Sequence, residues 1–220
     1  MPDLFSVLSA DLIDSRHARD REALAARIEA VLAGLGQREW WRAPPMTTRG
    51  IDEMSAVLAR PERAYDAAFE LNLAIWPARF RVAVADGALD INPHSPVAAD
   101  VDGPAYHAAA AAIGRARDEE RAFALALSRV EAPQRDLVEA LAHLHDTLMQ
   151  RWSRRALPAL RLYHAGLTQE QVAERLAVTQ QAVSAMLGRA HWQQMAQARA
   201  AIAAALADWL VGQPDSGEAA

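Results

Sequence analysis

The amino-acid sequence predicts an α+β protein in two parts, a palm-like α/β sandwich followed by an all-helical end. Three observations predict it. Over the first 130 residues, short apolar runs alternate with segments of helical spacing in the order β-α-β-β-α-β-α-β. After residue 150 every periodic segment has helical spacing. Charge divides near the same place: residues 1–150 carry 16 Arg against 23 acids, net −7, and residues 151–200 carry 7 Arg against Glu170 and Glu174, net +5.

The elements follow in order. Residues 4–10 read as a short buried strand that ends at Asp11. Residues 19–35 place Leu24, Ile28, Val31, Leu32 and Leu35 at helical spacing, and Gly34 and Gly36 are expected to close that helix. Residues 44–48 and 54–58 read as a hairpin turning through Arg49-Gly50-Ile51-Asp52. Pro61 opens a helix that runs to Trp76, before Pro77. Residues 80–85 are a strand, 86–104 a long loop, 105–117 a helix, 123–127 a strand and 133–151 a helix. The sandwich is expected to carry its helices on one face of the sheet. The predicted units are 1–130, a connecting helix at 131–150, a helical domain at 151–212 and a disordered tail at 213–220.

Composition excludes several chemistries. The chain has 220 residues and no Cys, so disulfides, Cys-based zinc sites and thiol nucleophiles are absent. All 23 basic residues are Arg, which removes Lys Schiff-base chemistry and a P-loop lysine. Ala accounts for 51 residues, so the apolar fraction of 52% overstates the core. No run approaches 18 apolar residues, and Met1-Pro2-Asp3 does not begin a secretory signal, so no membrane span and a cytoplasmic location are expected.

The strongest motif lies at residues 167–187. Thr168 and Gln171 have the spacing of a capping box, and Thr179 can cap a second helix. Val172, Leu176, Val178, Val183 and Met186 supply contacts between two helices, after a preceding helix at about 153–165. The run resembles the helix-turn-helix of the last domain of bacterial sigma factors, with Ala177 where many such turns have Gly. The second helix would present Gln180, Gln181, Ser184 and Arg189 to base edges, where Gln pairs with adenine and Arg with guanine. Thr168, Gln169 and the arginines at 151, 154 and 155 would meet phosphates, and Thr179 belongs to the same DNA-binding set. A solvated helical hairpin or a dimerisation bundle is the competing reading.

In the front half, Asp11 ends a strand, while Asp52 and Glu53 sit at a hairpin tip. If those strands are neighbours, Asp11 and Asp52 meet at one edge, an arrangement that suits Mg²⁺. Asp11 could equally cap the following turn, and Asp52 could suit a type I turn. Asp11-Leu12-Ile13-Asp14-Ser15-Arg16, Gly50-Ile51-Asp52-Glu53-Met54 and Asp102-Gly103-Pro104-Ala105-Tyr106-His107, with the helix-turn-helix, resemble the SatD family in order and spacing. The resemblance covers about residues 4–195. It differs at the hairpin, where Ile51 separates Gly50 from Asp52. It implies a ferredoxin-like, nucleotide-cyclase-like palm. In that palm Asp11 and Asp52 would be the metal positions, and Leu12, Ile13, Arg16, Asp102 and Tyr106 would surround a nucleotide. His143 and His145 lie two apart and do not share a helix face. Trp40 and Trp41 read as packing residues, and residues 108–112, all Ala, as a close-packing face that could cross a dimer.

The expected function is a transcriptional regulator that binds double-stranded DNA, with a palm for homodimerisation or nucleotide sensing. The alternatives are a Mg²⁺-dependent nucleotidyl-cyclase-type enzyme and an adaptor that docks on RNA polymerase.

Overall fold

The computed structural model describes residues 4–14 and 20–210. Arg16, expected at the nucleotide, and the expected tail at 213–220 lie outside the described residues.

β1 (Phe5–Leu12) is the centre of a five-stranded mixed sheet whose order is β2-β3-β1-β4-β5. β2 (Trp41–Arg49), β3 (Glu53–Leu58) and β4 (Phe80–Gly87) join it through antiparallel pairings. β5 (Phe123–Ala126) runs parallel to β4 at the edge. The β2–β3 hairpin turns where Gly50 takes φ +58, a left-handed value that glycine adopts without strain.

Alternation along β1 divides two cores. Leu8, Ala10 and Leu12 face α1 (Arg21–Gly36) and α2 (Ala64–Ile75), together with Ile28, Leu71 and Phe80. Phe5 and Val7 join a second cluster on the opposite face, under α3 (Pro104–Asp118). The sheet is therefore covered on both faces, not on one as expected. The all-Ala run explains why. Ala105, Ala109, Ala112 and Ala116 follow a 4-3-4 spacing and are buried against the sheet, so α3 lies close to it. A Cβ on Gly87 of β4 would meet the Ala105 backbone at 3.1 Å. Ala105, Ala109, Ala112 and Ala116 serve this contact, while Ala110 and Ala111 are exposed.

α1 begins where Asp20 accepts from the Ala23 N–H at 2.9 Å. It ends on Gln37 in a right-handed conformation, so Gly34 and Gly36 do not close it as expected. α4 (Ala132–Gln150) packs Val138, Ala142 and Met149 inward. It also buries Glu139, 1% exposed, which accepts from Arg115, Arg121 and the Leu125 N–H at 2.7–3.0 Å. Three donors around one carboxylate are what makes its burial tolerable.

α5 (Leu157–His164), α6 (Gln169–Leu176) and α7 (Gln180–Arg189) surround a third core of Leu160, Val172, Val183 and Leu187. Phe69 and Leu73 of α2 belong to the same core. Arg161 of α5 donates to the carbonyls of Leu73 and Ala74 at the end of α2. α8 (Trp192–Leu210) begins in this core through Met195 and ends in the α1–α2 core through Ile202 and Leu206. No helix among the described residues is long and apolar enough to cross a membrane.

Candidate functional site

The helical end has the local geometry that its sequence predicts. Thr168 accepts from the Gln171 N–H at 3.2 Å, and Gln171 Oε1 accepts from the Thr168 N–H at 2.9 Å, closing the capping box. Thr179 accepts from the Ala182 N–H at 3.2 Å and starts α7. Between them Ala177 takes φ +52 and ψ 44, so the turn is left-handed without glycine. An L-residue there is held at a cost of about 1–2 kcal/mol.

Helix α7 buries Val183 and Leu187 and turns Gln180, Gln181, Ser184 and Arg189 to solvent. Thr168 and Thr179 are exposed at the helix starts, and Gln169 is half-buried. Not all of the positive charge faces out. Arg161 is tied to α2, and Arg199 pairs with Asp66 at 3.4 Å and lies over the Phe69 ring. Arg151, Arg154, Arg155, Arg175 and Arg189 remain exposed, which still exceeds Glu170 and Glu174.

The front half is arranged differently from its expectation. Asp11 and Asp52 are held by different partners. Arg117 of α3 donates to Asp11 Oδ2 at 2.7 Å, with Arg81 of β4 at 3.5 Å. Asp52 lies 3.6 Å from Arg21, on α1. Strand register explains the divergence: Asp11 is opposite Glu53, and residues opposite each other share a face. Glu53 is therefore the carboxylate that joins Asp11, and the sequence reading missed it. Period-two alternation from Val7 and Ser9 is the signal that finds it. Among the described residues no group of three or more His, Asp or Glu is arranged to hold a metal ion.

Leu12 and Ile13 also depart from the expectation. The Leu12 side chain is 4% exposed in the α1–α2 core, and its N–H donates to the Asp52 carbonyl at 2.7 Å. The Ile13 N–H donates to the Arg79 carbonyl at 2.9 Å. Neither amide is left to bind a phosphate.

Asp11, Asp102 and Tyr106 do come together. They line a cavity of about 410 Å³ between the sheet and α3, with Ser9, Ser55, Glu53 and Arg117. The Asp11 carboxylate raises the Arg117 pKa by hydrogen bond and charge, whereas burial lowers that of Arg81. The Tyr106 hydroxyl is buried without a well-formed hydrogen bond. Burial pushes its pKa up to about 12, Asp102 adds to the rise, and nearby Ser55 opposes it.

The Asp-Gly-Pro-Ala-Tyr-His run has a structural account. Asp102 bridges to Ile91 and accepts from the Gly103 N–H at 2.7 Å. Gly103 takes φ +153, and a Cβ there would lie 2.7 Å from the Asp90 nitrogen. Pro104 and Ala105 then start α3 against β4, and Tyr106 turns into the cavity.

No protein-family model matches this chain, and no curated protein matches it.

Proposed function

We propose that this protein is a cytoplasmic DNA-binding regulator, with α6 and α7 as its reading element and the sheet domain serving dimerisation or the sensing of a small ligand. One observation carries the reading: Gln180, Gln181, Ser184 and Arg189 are all exposed on one capped helix, in a segment of net charge +5. Side chains of these types match base edges in the major groove, and the exposed arginines match phosphates. The SatD-like order of motifs supports the same assignment, as does the β2-β3-β1-β4 order, which suits a ferredoxin-like palm. The cavity under α3 supports the ligand-sensing half. A cyclase-type reaction is not part of the proposal, because Asp11 is bound by Arg117 and pairs across the strands with Glu53, not Asp52.

Fluorescence anisotropy with labelled duplexes tests it. Binding should be readily measured in 50 mM salt and fall steeply by 200 mM. Gln181→Ala with Arg189→Ala should weaken a selected duplex at least tenfold, because each bidentate contact is worth about 1–3 kcal/mol. Absence of duplex binding at low salt, with capture of RNA polymerase instead, would replace this reading with the adaptor one.

A further inference from the structure

Helix α3 and the sheet do not close on each other along their whole length. On the face under α3, the facing pairs of β1 and β3 change character in order: Val7 with Val57, Ser9 with Ser55, Asp11 with Glu53. The valines are buried in the core there, whereas the serines and the two acids line the cavity of about 410 Å³. Helix α3 carries two neighbouring stripes at 4-3-4 spacing. Ala105, Ala109, Ala112 and Ala116 lie against the sheet, and Tyr106, Ala110, Ile113 and Arg117 line the cavity. The Tyr106 hydroxyl is buried there without a well-formed hydrogen bond, and Ser9, Thr48 and Ser55 add three more hydroxyls. The carboxylates are unequally matched. Asp11 is held by Arg117 at 2.7 Å. Glu53 faces the exposed Arg49 at 3.5 Å, and Asp102 faces the exposed His107 at 3.8 Å, pairs that bind weakly in water.

We infer that this cavity binds a small aliphatic amine in its protonated form, with Glu53 and Asp102 as the counter-charges. Charge selects the class. The lining carries three acids, Asp11, Glu53 and Asp102, against one cation, Arg117, a net of −2. An anionic ligand would have to draw Arg117 away from Asp11 and then face two further carboxylates. An ammonium ion meets two carboxylates whose present partners are exposed and weakly held. It brings three N–H donors, and the hydroxyls of Ser9, Ser55 and Tyr106 can accept those that the carboxylates leave over. Ala98, Val101 and Ile113 give its methylenes an apolar wall. Two weakly matched acids favour a diamine over a monoamine. A bare metal ion would leave most of the volume unfilled, and among the described residues no three acids or histidines converge to hold one. The inference rests on the ligand-sensing half of the proposed function and does not depend on DNA binding.

Titration calorimetry of the full chain with 1,4-diaminobutane, in the absence of DNA, tests the inference. One site should saturate, and butylamine should bind it more weakly. 1,4-Butanediol keeps the length and loses the charge, so it should give no saturable heat. Glu53→Gln with Asp102→Asn should weaken the diamine at least tenfold. The same pair should move the melting temperature by less than about 2 °C, since both side chains are half-exposed and Asn still accepts from the Gly103 N–H. Tyr106→Phe removes one acceptor and should weaken the diamine about threefold. Asp136→Asn, an exposed acid of α4 that does not line the cavity, should leave the affinity unchanged and so separates a site from general attraction to an acidic protein. Absence of saturable diamine binding, equal binding of the diol, indifference to the Glu53 and Asp102 changes, or an equal loss from Asp136→Asn overturns the inference. So does a chain that binds ATP and not the diamine, which would return the cavity to a nucleotide. Diamine binding without duplex binding leaves the inference standing and defeats the DNA proposal, and duplex binding without diamine binding does the reverse.

Discussion

The two ends of the molecule use their polar side chains in opposite ways. In the sheet domain the charged residues that look functional are turned toward one another: Asp11 to Arg117 and Arg81, Glu139 to Arg115 and Arg121. In α7, Gln180, Gln181, Ser184 and Arg189 are turned to water. Paired charges hold elements together, and their removal is felt as lost stability. Exposed hydrogen-bonding groups carry little of the fold, and under the proposed function their removal is felt as lost affinity.

That contrast can be broken at graded strengths. Glu139→Ala should have the largest effect, about 3–5 kcal/mol of destabilisation by denaturant unfolding, because Arg115, Arg121 and the Leu125 N–H all lose their acceptor. Acid should act next, through His145. Burial, with help from Arg199, lowers its pKa to about 3. Its unfolded value is about 6.5, so the stability it contributes is full above that pH and falls by up to about 1.4 kcal/mol per pH unit below it. Melting curves between pH 6.5 and 4.5 should show this slope, and His145→Gln should flatten it. Ala109→Leu should cost about 1–3 kcal/mol by forcing α3 off the sheet. Ala177→Gly should go the other way, raising stability by about 1 kcal/mol as the left-handed turn relaxes. The paired Gln181→Ala and Arg189→Ala changes should alter unfolding by less than about 0.5 kcal/mol. A larger loss of stability there would mean that the two ends are built alike.

Legibility followed the range of the interactions. The capping box at Thr168, the Thr179 cap and the turn at Ala177 depend on neighbours a few residues away, so they could be read from the chain. Strand and helix order was legible for the same reason. Which face a side chain occupies depends on its phase in β1 and its register against β3, and the reading of Asp11 with Asp52 overlooked both. Arg117 reaches Asp11 across 106 positions, and no local pattern announces that pair. The alanines of α3 signalled a close approach, but only the fold identifies the sheet as its target.

Helix α8 has a mechanical consequence. One continuous rod starts beneath α7 and finishes inside the sheet domain, with Met195 anchored at one end and Leu206 at the other. The α5–α7 unit is therefore joined to the sheet domain by a packed helix. Cutting the chain after residue 191 would remove that rod and leave apolar gaps in two cores at once, so the shortened chain should lose stability in both.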